Sequence, residues 1–326
     1  MNNDAKSTFL PPIRKTIKIK FCDFADIFET AQQIRKILSK YYELDETSSP
    51  DFLFCGGLGF DHLKYDCVKI AVLSENVAPD FNFYDYAIGF DFIEFGDRYL
   101  RMPLFPIHDA YPLLKNRIFE PQKWLVERKF CSFIVSNGSH ADPLRIKFFE
   151  SLSKYKKVDS GGKFMNNIGR RVLNKNEFCK QYKFNIAFEN SSHIGYTTEK
   201  IMEAYAVQTI PIYYGNPEVG KDFRLDSMVR VADKNDFDRA IDEIIHLDND
   251  DEAYLNMVTQ KCLVKDYNYY EDSMNSFLLN ILEQNPYSAK RCCRYGGQLI
   301  IRRHMTLPLK IENAISKISD TIKNIF

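Results

Sequence analysis

The sequence predicts an α/β protein organised as two successive units, each a parallel sheet flanked by helices. Runs of strand character alternate with segments of helical periodicity along most of the chain. The stretch from Phe184 to Tyr214 reads strand, helix, strand, at the length a right-handed parallel crossover needs. The length of 326 residues corresponds to about two domains.

In chain order, residues 16 to 22 (TIKIKFC) read as a strand. Residues 26 to 41 follow as a helix, with Ile27, Phe28, Ala31, Ile34, Ile37, Leu38 and Tyr41 on one face. Strands are expected at Phe52 to Cys55, Val68 to Leu73 and Tyr86 to Phe90, the first running into Gly56-Gly57-Leu58-Gly59. Pro103 to Arg128 is irregular, holds four prolines and the single tryptophan, and reads as a long functional loop or an approach to a linker. The second series opens with a strand at Phe130 to Ser136 and an amphipathic helix near Pro143 to Tyr155. It continues with a strand at Phe184 to Phe188, a helix from about Thr197 to Val207 and a strand at Ile210 to Tyr214. Helices near 235 to 247, 251 to 263 and 270 to 283 complete the body. The expected units are therefore 1–128, 129–285 and a tail, 286–326, with the two Rossmann-like domains facing one another across a cleft.

Composition narrows the function. An apolar fraction of 45% supports sizeable cores, and 44 basic against 44 acidic residues exclude a chain-wide grip on nucleic acid. The balance is uneven. Residues 286 to 326 carry eight Lys/Arg and two Asp/Glu, so the tail is basic and the body acidic. Lys290, Arg291, Arg294, Arg302 and Arg303 precede Ile311, Ile315, Ile318 and Ile322 at helical spacing, a pattern that suits an anionic membrane surface as well as a helix packed on the body. The N-terminus is polar, no run approaches the roughly 18 apolar residues of a membrane span, and the eight cysteines form no CxxC pair. The expectation is a cytoplasmic protein with reduced thiols, peripheral on the inner membrane where the tail engages it. No HxH, HExxH or Cys/His spacing appears, so no metal site is expected.

In open α/β sheets ligands bind beyond the carboxyl ends of the strands. The richest of these loops follows the strand at 184 to 188, where Glu189 and Asn190 lead to a helix opening near Thr197. Unpaired N–H groups and the positive dipole end suit a diphosphate there, and Lys200 in the first turn adds a full charge. Glu199 is placed to bond a ribose or steady a cationic sugar, and Tyr196 to cover a base or sugar face. Local pattern also allows plainer roles: Thr197 as an ordinary N-cap, Glu199 as a first-turn carboxylate, His193 as a solvated loop residue.

Phe188-Glu-Asn-Ser, Gly195-Tyr-x-Thr-Glu-Lys200, Ala204-Tyr, Pro211-x-Tyr-x-Gly215 and Asp222-Phe223 resemble the signature of the α-1,3/4-fucosyltransferases, glycosyltransferase family 10. Ser74-Glu-Asn, Asn82-Phe-x-x-Asp-Tyr-Ala-Ile-Gly-Phe-Asp91, Arg98-Tyr-Leu-Arg-Met-Pro-Leu104, Ser132-Phe-Ile-Val-Ser-Asn137 and Asp159-Ser-Gly-Gly162 resemble the bacterial, Helicobacter-type members in the same order. The similarity covers roughly residues 68 to 285. It implies a GT-B fold and inverting transfer of L-fucose from GDP-β-L-fucose to a hydroxyl of N-acetylglucosamine or glucose in a glycan. An α-1,3 linkage on N-acetyllactosamine-type chains, as in Lewis x and in lipopolysaccharide O-antigens, follows, with no cofactor required.

By matched position, Asn190, Tyr196, Glu199 and Lys200 would contact the donor, and Glu75 would be the general base from the N-terminal domain. Asp80 and Asp91 are the other carboxylates considered. Where the Helicobacter-type pattern has an arginine on the phosphates this chain has Met165, so Lys163 and Arg170 are the expected substitutes, with Asn166 and Asn167 as further donors. Trp124 and Tyr84 are the aromatic candidates on the acceptor side. The alternatives are a GT-B transferase for another nucleotide sugar and a non-catalytic carbohydrate-binding protein.

Overall fold

The computed structural model describes residues 14–24, 30–135 and 142–292, together with 300, 304, 305 and 308. The membrane-binding expectation for the tail rests on Arg294, Arg302, Arg303 and the isoleucines beyond, which lie outside the described residues.

The first sheet is built from β1 (Thr16–Cys22), β2 (Glu43–Glu46), β3 (Phe52–Cys55), β4 (Val68–Val72), β5 (Tyr86–Gly89) and β6 (Tyr99–Arg101), in the order β2-β1-β3-β4-β5-β6. β1 pairs in parallel with β2 and β3, and β3 with β4. Helix α1 (Thr30–Leu38) turns Ala31, Ile34 and Leu38 inward, the i, i+3, i+7 stripe read from the sequence. β3 and β4 are buried at every position, as central parallel strands covered on both faces must be.

The second sheet comprises β7 (Lys129–Phe133), β8 (Val158–Ser160), β9 (Tyr182–Phe188), β10 (Ile210–Tyr214) and β11 (Val229–Arg230), all parallel, in the order β11-β10-β9-β7-β8. Its helices are α2 (Pro121–Glu127), α3 (Leu144–Ser153), α4 (Lys175–Cys179), α5 (Glu199–Ala206), α6 (Phe237–Asn249) and α7 (Asp251–Val258), while α8 (Tyr269–Leu282) starts in this unit and ends in the other. Phe148, Phe184, Ile186, Ile210, Ile212 and Ile244 are among the side chains that meet in its core. The β9–α5–β10 crossover confirms the strand, helix, strand reading. Its register sets Phe188 opposite Tyr214, so both strands deliver their following residues at one level.

Two compact units result, residues 1–72, 80–87 and 278–326 in one, 73–79 and 88–277 in the other. The sequence-based boundary at 128 falls inside the second unit for a physical reason. Arg117 donates to the carbonyls of Val258 and Gln260, and Arg128 to those of Val207 and Gln208, fastening the proline-rich segment to that sheet's helices. Beyond 285, Lys290 bonds Asp66 and the Arg291 N–H donates to Asp85, so the start of the expected tail is anchored on the first unit. None of the seven described cysteines is disulfide-bonded, and no described helix is long and apolar enough to cross a membrane.

Candidate active site

The site is organised by a carboxylate that the strand pattern delivers into a wholly buried position. Glu189 follows β9, its N–H still in the ladder with the Tyr214 carbonyl at 2.8 Å, and its side chain is 0% exposed. A buried carboxylate must be paired and hydrogen-bonded. Here Oε1 accepts the Thr198 N–H at 2.8 Å, Oε2 accepts the Thr198 hydroxyl at 2.6 Å, and Lys200 Nζ stands 3.3 Å from Oε2. Gly215, at φ +152°, leaves room for it, since a Cβ there would lie 2.4 Å from Glu189 Cγ.

These bonds fix where α5 begins. The N-cap is Thr198, one residue beyond Thr197, and its hydroxyl serves Glu189 rather than the helix N–H groups. Lys200 is thereby held among Thr198 Oγ1 at 3.0 Å, Glu189 and Glu199 Oε1 at 3.2 Å. Burial acts to lower the lysine pKa, but the attraction of Glu189 and then Glu199 outweighs it and keeps the ammonium charged well above its ordinary range. For Glu199 burial acts upward; Lys200 and then Lys175 reverse this and bring its pKa to about 2. Its carboxylate is thus ionised at any working pH and, one-third exposed, is open to a ligand. Glu189 shows the opposite balance, with burial raising its pKa despite Lys200.

A second set of bonds shapes the loop from 191 to 198. Gly195, at φ +92°, passes so close to the Phe90 carbonyl that a Cβ would stand 2.2 Å from its oxygen. Its N–H donates to Asn216 Oδ1 at 2.8 Å, and its carbonyl accepts Arg101 Nη2 at 3.1 Å. Arg101 grips Asp222 bidentately, at 2.5 and 2.6 Å, and Tyr270 donates to the same carboxylate at 2.8 Å. The Arg98 to Leu104 and Asp222-Phe223 blocks of the sequence are therefore two ends of one structural clamp. Their spacing of 121 residues hid it.

The turn bearing Glu75 groups with the second unit, although β4 before it belongs to the first. Asn76 Nδ2 donates to Ser191 Oγ at 2.9 Å, tying that turn to the loop after β9. Glu75 is exposed, and no bond among the described residues occupies its carboxylate. The competing carboxylates are engaged. Asp80 accepts both the N–H and Nδ2 of Asn82 at 2.9 Å, and Asp91 pairs with His193 Nε2 at 2.7 Å.

The other expected site residues divide. Asn190 is half-buried, and its Oδ1 accepts Arg145 Nη1 at 2.9 Å. Tyr196 is buried with its ring edge-on to Phe90, the centroids 4.8 Å apart, so it supports the loop and presents no open face. Lys163 and Arg170 are exposed. Met165, at φ +56°, packs against the second core, while Asn166 and Asn167 bond the carbonyls of Gly162, Arg170 and Val158 and so brace their own loop. Trp124, 6% exposed, is a core residue beneath Arg128, and Tyr84, 7% exposed, lies against His62. Neither ring offers a face to a sugar, which corrects both acceptor-side assignments: each occupies a core position that its alternation or helix face dictates. Among the described residues no group of three His, Cys, Asp or Glu is arranged to hold a metal ion.

Residues 19–108 match the family model for the alpha-(1,3)-fucosyltransferase FucT N-terminal domain, and 124–276 that for glycosyltransferase family 10 (fucosyltransferase) C-term. A crystal structure of an alpha1,3-fucosyltransferase with GDP-fucose superposes with a TM-score of 0.71 at 32% identity, covering 85% of this chain and 93% of that one. This chain belongs to glycosyltransferase family 10. Its two Rossmann-like units are those of the GT-B class. The alpha-(1,3)-fucosyltransferase FucT of Helicobacter pylori is 38% identical over 266 residues, 70% of this chain and 55% of that protein. A bovine 3-galactosyl-N-acetylglucosaminide 4-alpha-L-fucosyltransferase, FUT3, is 28% identical over 157 residues, 43% of this chain and 42% of that one. The family 10 chain thus spans about half the length of these curated relatives.

Proposed function

We propose that this family 10 protein transfers L-fucose from GDP-β-L-fucose to a hydroxyl of N-acetylglucosamine or glucose in a glycan, inverting the anomeric centre. An α-1,3 linkage on N-acetyllactosamine-type chains is the favoured product. The observation that carries the reading is the buried Glu189–Thr198–Lys200 cluster at the start of α5, in a chain matched almost end to end by an alpha1,3-fucosyltransferase crystallised with GDP-fucose.

The chemistry follows from the charges. Attack of the acceptor oxygen on the fucose anomeric carbon breaks the bond to the β-phosphate, whose electron pair leaves with GDP. Negative charge grows on that phosphate in the transition state, where a fixed cation lowers the barrier most. Lys200 stands at the helix start as that cation, and Glu199, ionised beside it, holds the ribose or steadies the positive sugar. A single displacement needs a base on the face opposite the leaving group, and Glu75 takes the acceptor hydroxyl's proton as the new bond forms.

The test is incubation with GDP-fucose in EDTA against lactose and type 1 and type 2 N-acetyllactosamine, with linkage analysis, and with GDP-mannose as rival donor. Transfer of fucose through an α-1,3 bond, undiminished by the chelator, is expected. Turnover of GDP-mannose alone, or of neither donor, would reject the reading.

A further inference from the structure

Helix α5 ends in a turn whose strain the fold itself does not explain. Its C-cap is Val207, and the next residue, Gln208, sits at φ +61°. That left-handed position after a helix is glycine's by preference, because a side chain there crowds the backbone. The glutamine carries a second cost, since its Oε1 is buried and accepts no hydrogen bond among the described residues. Beside it, Arg128 donates through Nη1 and Nη2 to the carbonyls of Gln208 and Val207 and through Nη1 to the Tyr254 hydroxyl, while its Nε is buried without a partner. Backbone strain and unpaired polar groups that persist together mark a functional site.

Both residues line one cleft of about 760 Å³, a size that small ligands occupy. Lys129 opens β7, Gln181 precedes β9 and Gln208 stands two residues before β10, and all three line the cleft. It therefore lies at the amino edge of the second sheet, the edge opposite Glu189 and the start of α5. The seven residues of β9 separate the two edges by roughly 20 Å, so the cleft is no part of the donor site.

The lining shows which ligand fits. Arg128 Nε can only donate and Gln208 Oε1 can only accept, and a hydroxyl group is the partner that does both. Three carboxylates and three lysines line the cleft, Lys123 pairing with Glu120 at 3.5 Å and Lys180 with Glu177, so it holds no cluster of unmatched cations for a phosphate. Leu113 and Ile118, 50% and 73% exposed, offer apolar surface to the C–H face of a ring. Hydroxyl edges beside C–H faces are the chemistry of a sugar.

We infer that this cleft is a second binding site, for a neutral saccharide, in which a sugar hydroxyl accepts from Arg128 Nε and donates to Gln208 Oε1. The assignment goes beyond the transferase reading and does not depend on it.

Trp124, the single tryptophan of the chain, lines the cleft beneath the Arg128 guanidinium, so its fluorescence reports this site. Titration of the full chain with maltohexaose and with a hexasaccharide of three N-acetyllactosamine units is expected to give a saturable change in its emission with at least one of them. Gln208→Gly should weaken that binding about three- to tenfold, the worth of one hydrogen bond, while melting at the wild-type temperature or above because glycine relieves the left-handed turn. Inorganic pyrophosphate should leave the emission unchanged. The assignment is overturned by silence toward both saccharides, by equal affinity in the variant, by saturation with pyrophosphate, or by a lower melting temperature of Gln208→Gly, which would show the side chain already in use within the fold.

Discussion

Glu75→Gln is expected to lower the rate of fucose transfer by about 10²- to 10⁴-fold, the usual worth of a positioned general base, while GDP affinity and thermal stability stay as in the wild type. The two halves of this expectation have different causes. Glutamine keeps the shape of the side chain but cannot accept the hydroxyl proton, so the barrier rises at the chemical step alone. Glu75 is exposed and its carboxylate holds no bond among the described residues, so its replacement leaves no buried group unpaired. Asp91→Asn serves as the comparison, since Asp91 is already paired with His193. Initial rates with saturating donor, together with GDP titrations of both variants, check the claim. Near-normal transfer by Glu75→Gln, or collapse of transfer in Asp91→Asn alone, would move the base elsewhere.

Lys200→Ala should damage both binding and stability. GDP affinity is expected to fall about ten- to a hundredfold and transfer by about 10²- to 10³-fold, because the lost charge matters most when the β-phosphate becomes anionic. Removal of the ammonium also leaves Glu189 fully buried with Thr198 as the one hydrogen-bond partner of its carboxylate among the described residues, at a cost of about 3 kcal/mol near neutral pH. That cost depends on pH with a definite sign. The folded pKa of Glu189 is raised by burial, so its penalty is absent below the unfolded carboxylate value and complete above the folded one. Lys200 pulls that pKa down, so its loss widens the window upward. The variant's deficit in melting temperature should therefore be smaller at pH 5 than at pH 8, and a deficit independent of pH would remove Glu189 as the cause.

The interior of both sheets is legible in the sequence because central parallel strands declare themselves by unbroken apolar runs. The bounds of β1 and β10 are those read from TIKIKFC and IPIYY. The strands that went unread, β2, β6, β8 and β11, are the four sheet edges. Edge strands are short and carry polar or charged side chains that discourage pairing with other chains, as Glu43–Glu46 does at three of its four positions, so they present no hydrophobic run to find.

The site divides in the same way. Glu199 and Lys200 were visible because a helix start is a local event. Glu189 was seen only as the residue ending a strand, since its partners lie nine and eleven residues on and meet it through the closure of a loop. Trp124 shows the converse error, in which a conspicuous residue type drew a functional reading that its place in the second core removes.

The central claim is that the start of α5 seats the departing diphosphate, with the Glu75 carboxylate as proton acceptor. Its most direct measurement is a crystal structure of the full chain with GDP. The account predicts the β-phosphate within hydrogen-bonding distance of Lys200 Nζ, with the Glu75 carboxylate open toward the position of the fucose. A diphosphate bound away from Lys200, with Glu75 turned from the nucleotide, would contradict it.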